Sequence, residues 1–168
     1  MSQFVHGLLS KVEEVLPMAE ALYKDLHQYP ELPMQEIRTS NIIAGKLREA
    51  GFGVTEKVGA TGVVGLLKNG AGPTVMLRAD MDAVPMKEET GLGYASRVEV
   101  VNEKGETVPV AHSCGHDMHT AWLTGAATVL SRARDSWRGT LLVVFQPAEE
   151  TGQGSQAMLD DGMTERFP

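Results

Sequence analysis

The segment GTLLVVFQ (Gly139–Gln146) decides the fold class, because residues 141–145 are all apolar. A strand with one face in water alternates apolar and polar residues, whereas a continuous apolar run is typical of a strand buried on both faces. The segment TVMLRAD (Thr74–Asp80) carries a similar run at residues 75–77. We therefore expect two fully buried strands at the centre of a sheet covered on both sides.

Helical patterns alternate with these strands. Apolar residues recur at three- and four-residue steps over residues 5–29, where Pro17 marks either a break or a second start, and over residues 35–50. Further strands are predicted within residues 51–59 and 61–70, a β-hairpin at residues 98–110 and a helix at residues 118–134. This alternation predicts an α/β layered fold, with a largely parallel or mixed sheet flanked by helices.

Composition excludes several classes of protein. The net charge of −7 and the absence of a basic run argue against a nucleic-acid or anionic-membrane partner. The N-terminus lacks the pattern of a signal peptide, no apolar run approaches the roughly 18 residues of a membrane span, and one cysteine cannot form an internal disulfide. We expect a soluble cytoplasmic protein.

The chain ends just after a short predicted helix, without a last strand or helix to close the domain. We therefore expect a truncated chain. A sheet cut short leaves an unpaired edge, which favours self-association into a homo-oligomer.

Two aspartates follow the predicted strand at residues 74–80. In extended chain, Asp80 and Asp82 project to the same side, so both carboxylates can face one pocket at the edge of the sheet. An Asp-x-Asp pair at a strand end also serves in turns, and the pair alone does not separate these two readings.

The segment AHSCGHDMHTA at residues 111–121 concentrates metal-seeking side chains. Cys114 and His116 can present a thiolate and an imidazole to one ion, and Asp117 is a candidate helix N-cap. His116 and His119 share a helix face if the helix begins early. Taken singly, His112 and His119 are better explained as packed or surface residues than as metal ligands.

The third group is the adjacent pair Glu149 and Glu150, directly after the strand at residues 139–146. Such a pair is ordinarily a solvated loop, but in metal hydrolases one carboxylate binds the ion and its neighbour takes a proton from water. Three such groups at strand ends of one predicted sheet favour a metal-hydrolase site.

Four segments carry a resemblance to a known family: LHQYPELPMQE, LRADMDAVP, HSCGHDMHTAWLTGAA and FQPAEE. Their order and spacing resemble the aminoacylase and hippurate-hydrolase branch of the two-metal metallopeptidases. That branch includes N-acyl-amino-acid amidohydrolases and plant indoleacetyl-amino-acid hydrolases. The resemblance covers nearly the whole chain and implies a zinc-peptidase-like catalytic domain.

The resemblance implies a role for five residues. Cys114 matches the bridging thiolate ligand, His116 and Glu150 match metal ligands, Glu149 matches the general base, and Asp82 matches a carboxylate that orients the site near the base. His27 resembles a feature that we interpret as structural. The resemblance leaves the roles of three residues open: Asp80, His112 and His119.

The resemblance also implies that parts of the family's fold lie outside these residues. The family has two further histidine ligands and a smaller domain for dimer contact and for covering the site, and no histidine follows His119 here. We therefore interpret residues 1–168 as the N-terminal part of the catalytic domain, without the dimerisation domain and the C-terminal part.

The implied reaction is metal-dependent hydrolysis of the amide bond of N-acyl amino acids, which are small molecules. Two divalent cations would serve the complete site, with Zn²⁺, Mn²⁺, Co²⁺ or Ni²⁺ as candidates. This chain alone is expected to be inactive. Two alternatives stay open: a truncated, non-catalytic metal-binding chain, and an amidase that uses Cys114 as nucleophile.

Overall fold

The computed structural model describes residues 3–102 and 104–167, with six strands and five α-helices in that part of the chain. The helices are α1 (Gln3–Gln28), α2 (Ile37–Glu49), α3 (His116–Arg132), α4 (Gln153–Asp160) and α5 (Met163–Arg166), and a short 3-10 helix covers Arg134–Ser136. The strands are β1 (Gly53–Val58), β2 (Gly62–Asn69), β3 (Thr74–Asp80), β4 (Glu99–Val101), β5 (Thr107–Pro109) and β6 (Gly139–Gln146). None of the helices described here combines the length and the apolar character needed to cross a bilayer.

Four strands form a mixed sheet in the order β1-β2-β6-β3. The β1–β2 and β2–β6 pairs are antiparallel, and only β3 and β6 run parallel. Of the two expected sheet types, the mixed sheet is confirmed. The short connection between β1 and β2 is the physical reason, since parallel neighbours need a long crossover.

Helices cover the sheet on both faces, as predicted. Apolar side chains from α2 and α3 pack on one face with those of β2 and β6: Ile43, Ala44, Leu47, Val63, Leu123, Ala127, Leu141, Val143 and Phe145. The opposite face packs against α4 through a smaller cluster: Val58, Val64, Leu142, Val144 and Met158. Successive residues of β6 point to opposite faces, which explains why residues 141–145 are all apolar and all buried.

The prediction that β3 is buried on both faces is wrong at its first residues. Val75 and Met76 are 51% and 56% exposed. β3 is an edge strand of the sheet within the described residues, and both faces of its first half are exposed. Burial begins only at Ala79 and Asp80, where β3 approaches α3.

The long first helix is continuous, so the proline does not divide it. Pro17 lies inside α1, where it cannot donate the backbone hydrogen bond that an N–H at this position would make. Leu22 and Leu26 of α1 pack against Ala121 of α3, and α1 therefore forms an outer layer over α3. The predicted hairpin is confirmed as β4 and β5, which pair in antiparallel register.

Candidate metal site

The candidate site lies at the carboxyl end of the parallel pair β3–β6. Asp80 is the last residue of β3, and it lies opposite Gln146, the last residue of β6. Asp82 follows β3 and the Glu149–Glu150 pair follows β6, so both acidic groups lie at the same edge of the sheet. The N-terminus of α3 meets the same edge through His116.

The imidazole of His116 is at the centre of this edge. Its Nδ1 lies 2.9 Å from the carbonyl oxygen of Asp82 and 3.1 Å from Oδ1 of the same residue. Its Nε2 faces three carboxylate oxygens, each at 3.7 Å: Asp80 Oδ2, Glu149 Oε2 and Glu150 Oε1. One ring nitrogen is thus held by Asp82, and the other points at a group of anionic oxygens.

These charges change the protonation of the site. Burial lowers the pKa of His116, but the hydrogen bond to Asp82 and the charges of Asp80 and Asp82 outweigh it and raise the pKa to about 9. Burial opposes ionisation of both aspartates, yet the hydrogen bonds from His119 and His116 hold the pKa of each carboxyl below its usual value. The raised pKa favours the protonated, positively charged form of the imidazole beside these carboxylates.

The Glu149–Glu150 pair is held through its backbone. The N–H of Glu150 donates to Asp82 Oδ2 at 3.0 Å, and the N–H of Glu149 contributes to the lowered pKa of the same carboxyl. Ala148, just before the pair, has φ 47°, a left-handed conformation that costs a residue with a Cβ about 1 kcal/mol. The two glutamate side chains remain 43% and 24% exposed, so they are open to water and to a substrate.

Cys114 lies beside this group, at its exposed side. A hydrogen bond to Glu150, partial burial and the charges of Glu150, Glu149 and Asp82 raise the pKa of the Cys114 thiol to about 11. The surroundings of the thiol are therefore anionic, and a nearby cation would favour its deprotonation.

Two sets of three side chains bring their donor atoms within 4.8 Å of one another among the residues described, and both contain His116. The first set adds Glu149 and Glu150, and the second adds Asp80 and His119. Cys114 belongs to neither set, although Glu150 is the main cause of the raised pKa of its thiol. In the second set the side chains already satisfy one another, because His119 Nδ1 lies 2.6 Å from Asp80 Oδ1.

The prediction that Asp117 caps α3 is wrong. Gly115 is the N-cap residue, in a left-handed conformation with φ 83° that favours glycine. The helix therefore begins at His116, which places His116 and His119 on one face with ring centroids 5.7 Å apart. Asp117 lies in the first turn, and its carboxylate is buried.

Asp117 instead joins a buried ion pair with His27 of α1. His27 Nδ1 lies 2.7 Å from Asp117 Oδ2, and Nε2 lies 3.1 Å from Glu88 Oε1. Burial lowers the pKa of His27, but the two hydrogen bonds and the two negative charges outweigh it and raise the pKa. These contacts support the interpretation of His27 as a structural residue that anchors the start of α3.

Replacing His27 by leucine is expected to lower the free energy of unfolding by about 3 kcal/mol at pH 6, because two buried carboxylates lose their partner. The stabilisation by charged His27 is complete below pH 6.5 and is lost as the pH rises through its raised pKa. The difference between wild type and His27→Leu should therefore shrink above pH 6.5. Urea unfolding at several pH values measures it, with Lys11→Met, which removes an exposed ion pair, as the control that should change little. A difference independent of pH would contradict the ionic role.

Two further ionisable side chains near the site, His112 and Glu36, are buried. His112 is buried, neither of its ring nitrogens is hydrogen-bonded to a residue that the structure describes, and burial lowers its pKa to about 4. Glu36, the last residue of the segment LHQYPELPMQE, is fully buried and bonds to the backbone of Ala148. Sequence reasoning missed Glu36, whose only signal was its place in this segment just before a predicted helix.

Comparison with known proteins identifies relatives of this chain. The sequence profile of peptidase family M20/M25/M40 matches residues 76–168. The hippurate hydrolase of Campylobacter jejuni is 41% identical over 162 residues, which cover 96% of this chain and 39% of that protein. The N-acetyl-L-cysteine deacetylase of Bacillus subtilis is 43% identical over 140 residues, 83% of this chain and 32% of that protein.

Among solved structures, the Bacillus subtilis YXEP protein, a dinuclear metal binding peptidase from the M20 family, superposes with a TM-score of 0.79 at 35% identity. The match covers 90% of this chain and 40% of that structure. The chain thus spans about two fifths of the length of relatives such as the hippurate hydrolase and the YXEP protein.

Proposed function

This chain belongs to peptidase family M20/M25/M40, and from that premise we propose that the protein hydrolyses the amide bond of N-acyl amino acids with the help of divalent metal ions. Hippurate and N-acetylcysteine, which the names of two relatives give as substrates, both belong to this chemical class. We propose no particular acyl group or amino acid.

The observation that carries the proposal is the arrangement around His116. Metal-binding histidines usually donate one ring N–H to a carboxylate or carbonyl and bind the ion through the other nitrogen. In this chain Asp82 occupies the first position, and the Nε2 atom faces carboxylate oxygens at 3.7 Å. The donor chemistry fits a divalent cation, which would replace the proton on Nε2 and balance the carboxylates.

We propose Cys114, His116 and Glu150 as the protein ligands in this part of the chain. Asp80 is less suited, because its two oxygens already accept hydrogen bonds from His119 and Arg78. Thiolate, imidazole and carboxylate together suit Zn²⁺, and Mn²⁺, Co²⁺ and Ni²⁺ also accept such ligands. A family relative is a dinuclear metal binding peptidase, which supports two ions in the complete site.

Within the proposed reaction, the metal ion, Glu149 and Asp82 have different roles. A divalent cation bound here would lower the pKa of a bound water and polarise the acyl carbonyl. Glu149 takes a proton from the attacking water as the bond to the carbonyl carbon forms, and it returns that proton to the amine nitrogen as the C–N bond breaks. Asp82 keeps His116 and the backbone of the glutamate pair in place.

The alternative of a cysteine nucleophile has less support. A nucleophilic thiol needs a base or a positive environment that lowers its pKa, whereas the carboxylates around Cys114 raise it to about 11. The alternative of a non-catalytic, metal-binding chain stays open for residues 1–168 alone, which we expect to be inactive without the rest of the family's fold.

The test is an assay of the full-length protein with a panel of N-acyl amino acids, alongside metal analysis. We expect hydrolysis that a chelator abolishes and that added Zn²⁺ or Mn²⁺ restores. Iodoacetamide should leave the metal-loaded enzyme active. Activity that survives complete metal removal but is lost with iodoacetamide would contradict the proposal and favour the thiol mechanism.

A further inference from the structure

A further buried carboxylate, that of Glu36, contacts the backbone just before the glutamate pair. Glu36, directly before α2, is 0% exposed, and its side chain accepts three hydrogen bonds. Its Oε1 accepts the backbone N–H of Met34 at 3.0 Å and that of Ala148 at 2.8 Å, and its Oε2 accepts the hydroxyl of Thr61 at 2.5 Å. A carboxylate is removed from water only where such donors replace the water.

The contact with Ala148 is the one that matters for the site. Ala148 is fully buried, has φ 47° and directly precedes Glu149 and Glu150. A residue with a Cβ stays in this conformation only where its surroundings hold it. Glu36 holds the N–H of Ala148, and the N–H of Gly154 donates to the Ala148 carbonyl at 3.2 Å.

Asp82 holds the other end of the same turn. It accepts the N–H of Glu150 at 3.0 Å, only two residues after the N–H that Glu36 accepts. Two buried carboxylates from distant segments therefore fix the backbone on both sides of Glu149. The directions of the Glu149 and Glu150 side chains follow from this backbone.

We propose that Glu36 is a positioning residue for the Glu149–Glu150 pair, acting through the N–H of Ala148; the proposal rests on the function proposed above. This role depends on the length of the side chain and not on its charge. The same oxygen, Oε1, accepts the backbone N–H groups of Ala148 and Met34. Glutamine can offer that oxygen from the same distance. Aspartate keeps the charge, but its oxygens fall short by one carbon–carbon bond.

The experiment compares Glu36→Gln and Glu36→Asp with a control, Leu67→Ala, in the full-length protein. Leu67 is buried in β2 and pairs with Leu141, at the end of the sheet far from Gln146. Its truncation removes core packing without touching the site. Each variant is measured by the Zn²⁺ dissociation constant and, without metal, by amide hydrogen exchange at Ala148 relative to Val143 in β6.

Glu36→Asp should raise the Zn²⁺ dissociation constant about tenfold or more, as is usual when a group that orients metal ligands is lost. It should also speed exchange at Ala148 relative to Val143. Glu36→Gln should stay within about threefold of wild type in both measurements, and Leu67→Ala should lower thermal stability without changing the dissociation constant.

Three results would overturn the role of Glu36: wild-type behaviour of Glu36→Asp, an equal loss in Glu36→Gln, or an equal loss in Leu67→Ala. If Glu36→Asp does not fold, two other results would overturn the role: weakened Zn²⁺ binding in Glu36→Gln, or fast amide exchange at Ala148 in wild type. Failure of wild type to bind Zn²⁺ would instead contradict the proposed metal site, and the exchange measurement would then decide about Glu36 on its own.

Discussion

Replacing Glu149 by glutamine is expected to lower kcat for hydrolysis of an N-acyl amino acid by about 10³-fold in the full-length protein, with near-normal metal content. The carboxamide has nearly the size of the carboxylate but cannot accept a proton from water, and general-base catalysis contributes roughly 10²–10⁴-fold. Initial rates and elemental analysis of the same purified sample measure both quantities.

The neighbouring residue is the matched control for this variant. Glu150→Gln removes a proposed ligand, so it should lower metal content as well as activity. The two variants differ by one position on the same turn, between backbone groups that Asp82 and Glu36 hold. If Glu149→Gln lost metal and Glu150→Gln did not, the proposed base and ligand would have to be exchanged.

Replacing Cys114 by serine is expected to raise the Zn²⁺ dissociation constant by about 100-fold or more. A thiolate binds Zn²⁺ directly, whereas an alcohol at neutral pH keeps its proton and is a poor ligand. Because the thiol has a pKa of about 11 without a cation, binding must release its proton, and wild-type affinity should rise with pH.

Cys114→Asp serves as the control, since a carboxylate at the same position restores a charged ligand. Its affinity should lie closer to wild type than that of the serine variant, with a shallower rise with pH. Metal content in Cys114→Ser equal to that of wild type, measured by elemental analysis, would remove Cys114 from the site.

Much of the site could be predicted because strand ends are visible in sequence. The runs before Asp80 and before the Glu149–Glu150 pair identify β3 and β6, and the carboxyl ends of parallel neighbours meet at one edge. The spacing in HSCGHDMH then places His116 beside them, once the helix begins early. Local patterns were sufficient for these groups, and the roles of individual side chains remain proposals.

The errors have a common cause in tertiary context. Val75 and Met76 have the composition of a buried strand, yet they lie at the edge of the sheet in the described residues. Proline usually breaks or kinks a helix, but α1 continues past Pro17 because it packs on α3. Asp117 has the chemistry of an N-cap, but Gly115 takes that position and His27 binds the carboxylate.

Glu36 illustrates what sequence patterns omit. Its partner Ala148 lies 112 residues further along the chain, and neither residue type allows the contact to be predicted from the sequence. A buried carboxylate that accepts backbone N–H groups can be recognised only when the fold has brought the donors to it. The same holds for the anionic surroundings of Cys114, which arise from Glu150 and Asp82 of two other segments.

X-ray absorption spectroscopy of the Zn²⁺-loaded full-length protein and of its Cys114→Ser and His116→Gln variants tests the central claim most directly. We predict a first coordination shell with one sulfur at about 2.3 Å and nitrogen or oxygen donors at about 2.0–2.1 Å. The sulfur scatterer should vanish in Cys114→Ser, and His116→Gln should lose an imidazole. Bound Zn²⁺ with no sulfur neighbour, and with a shell that neither substitution alters, would contradict the site.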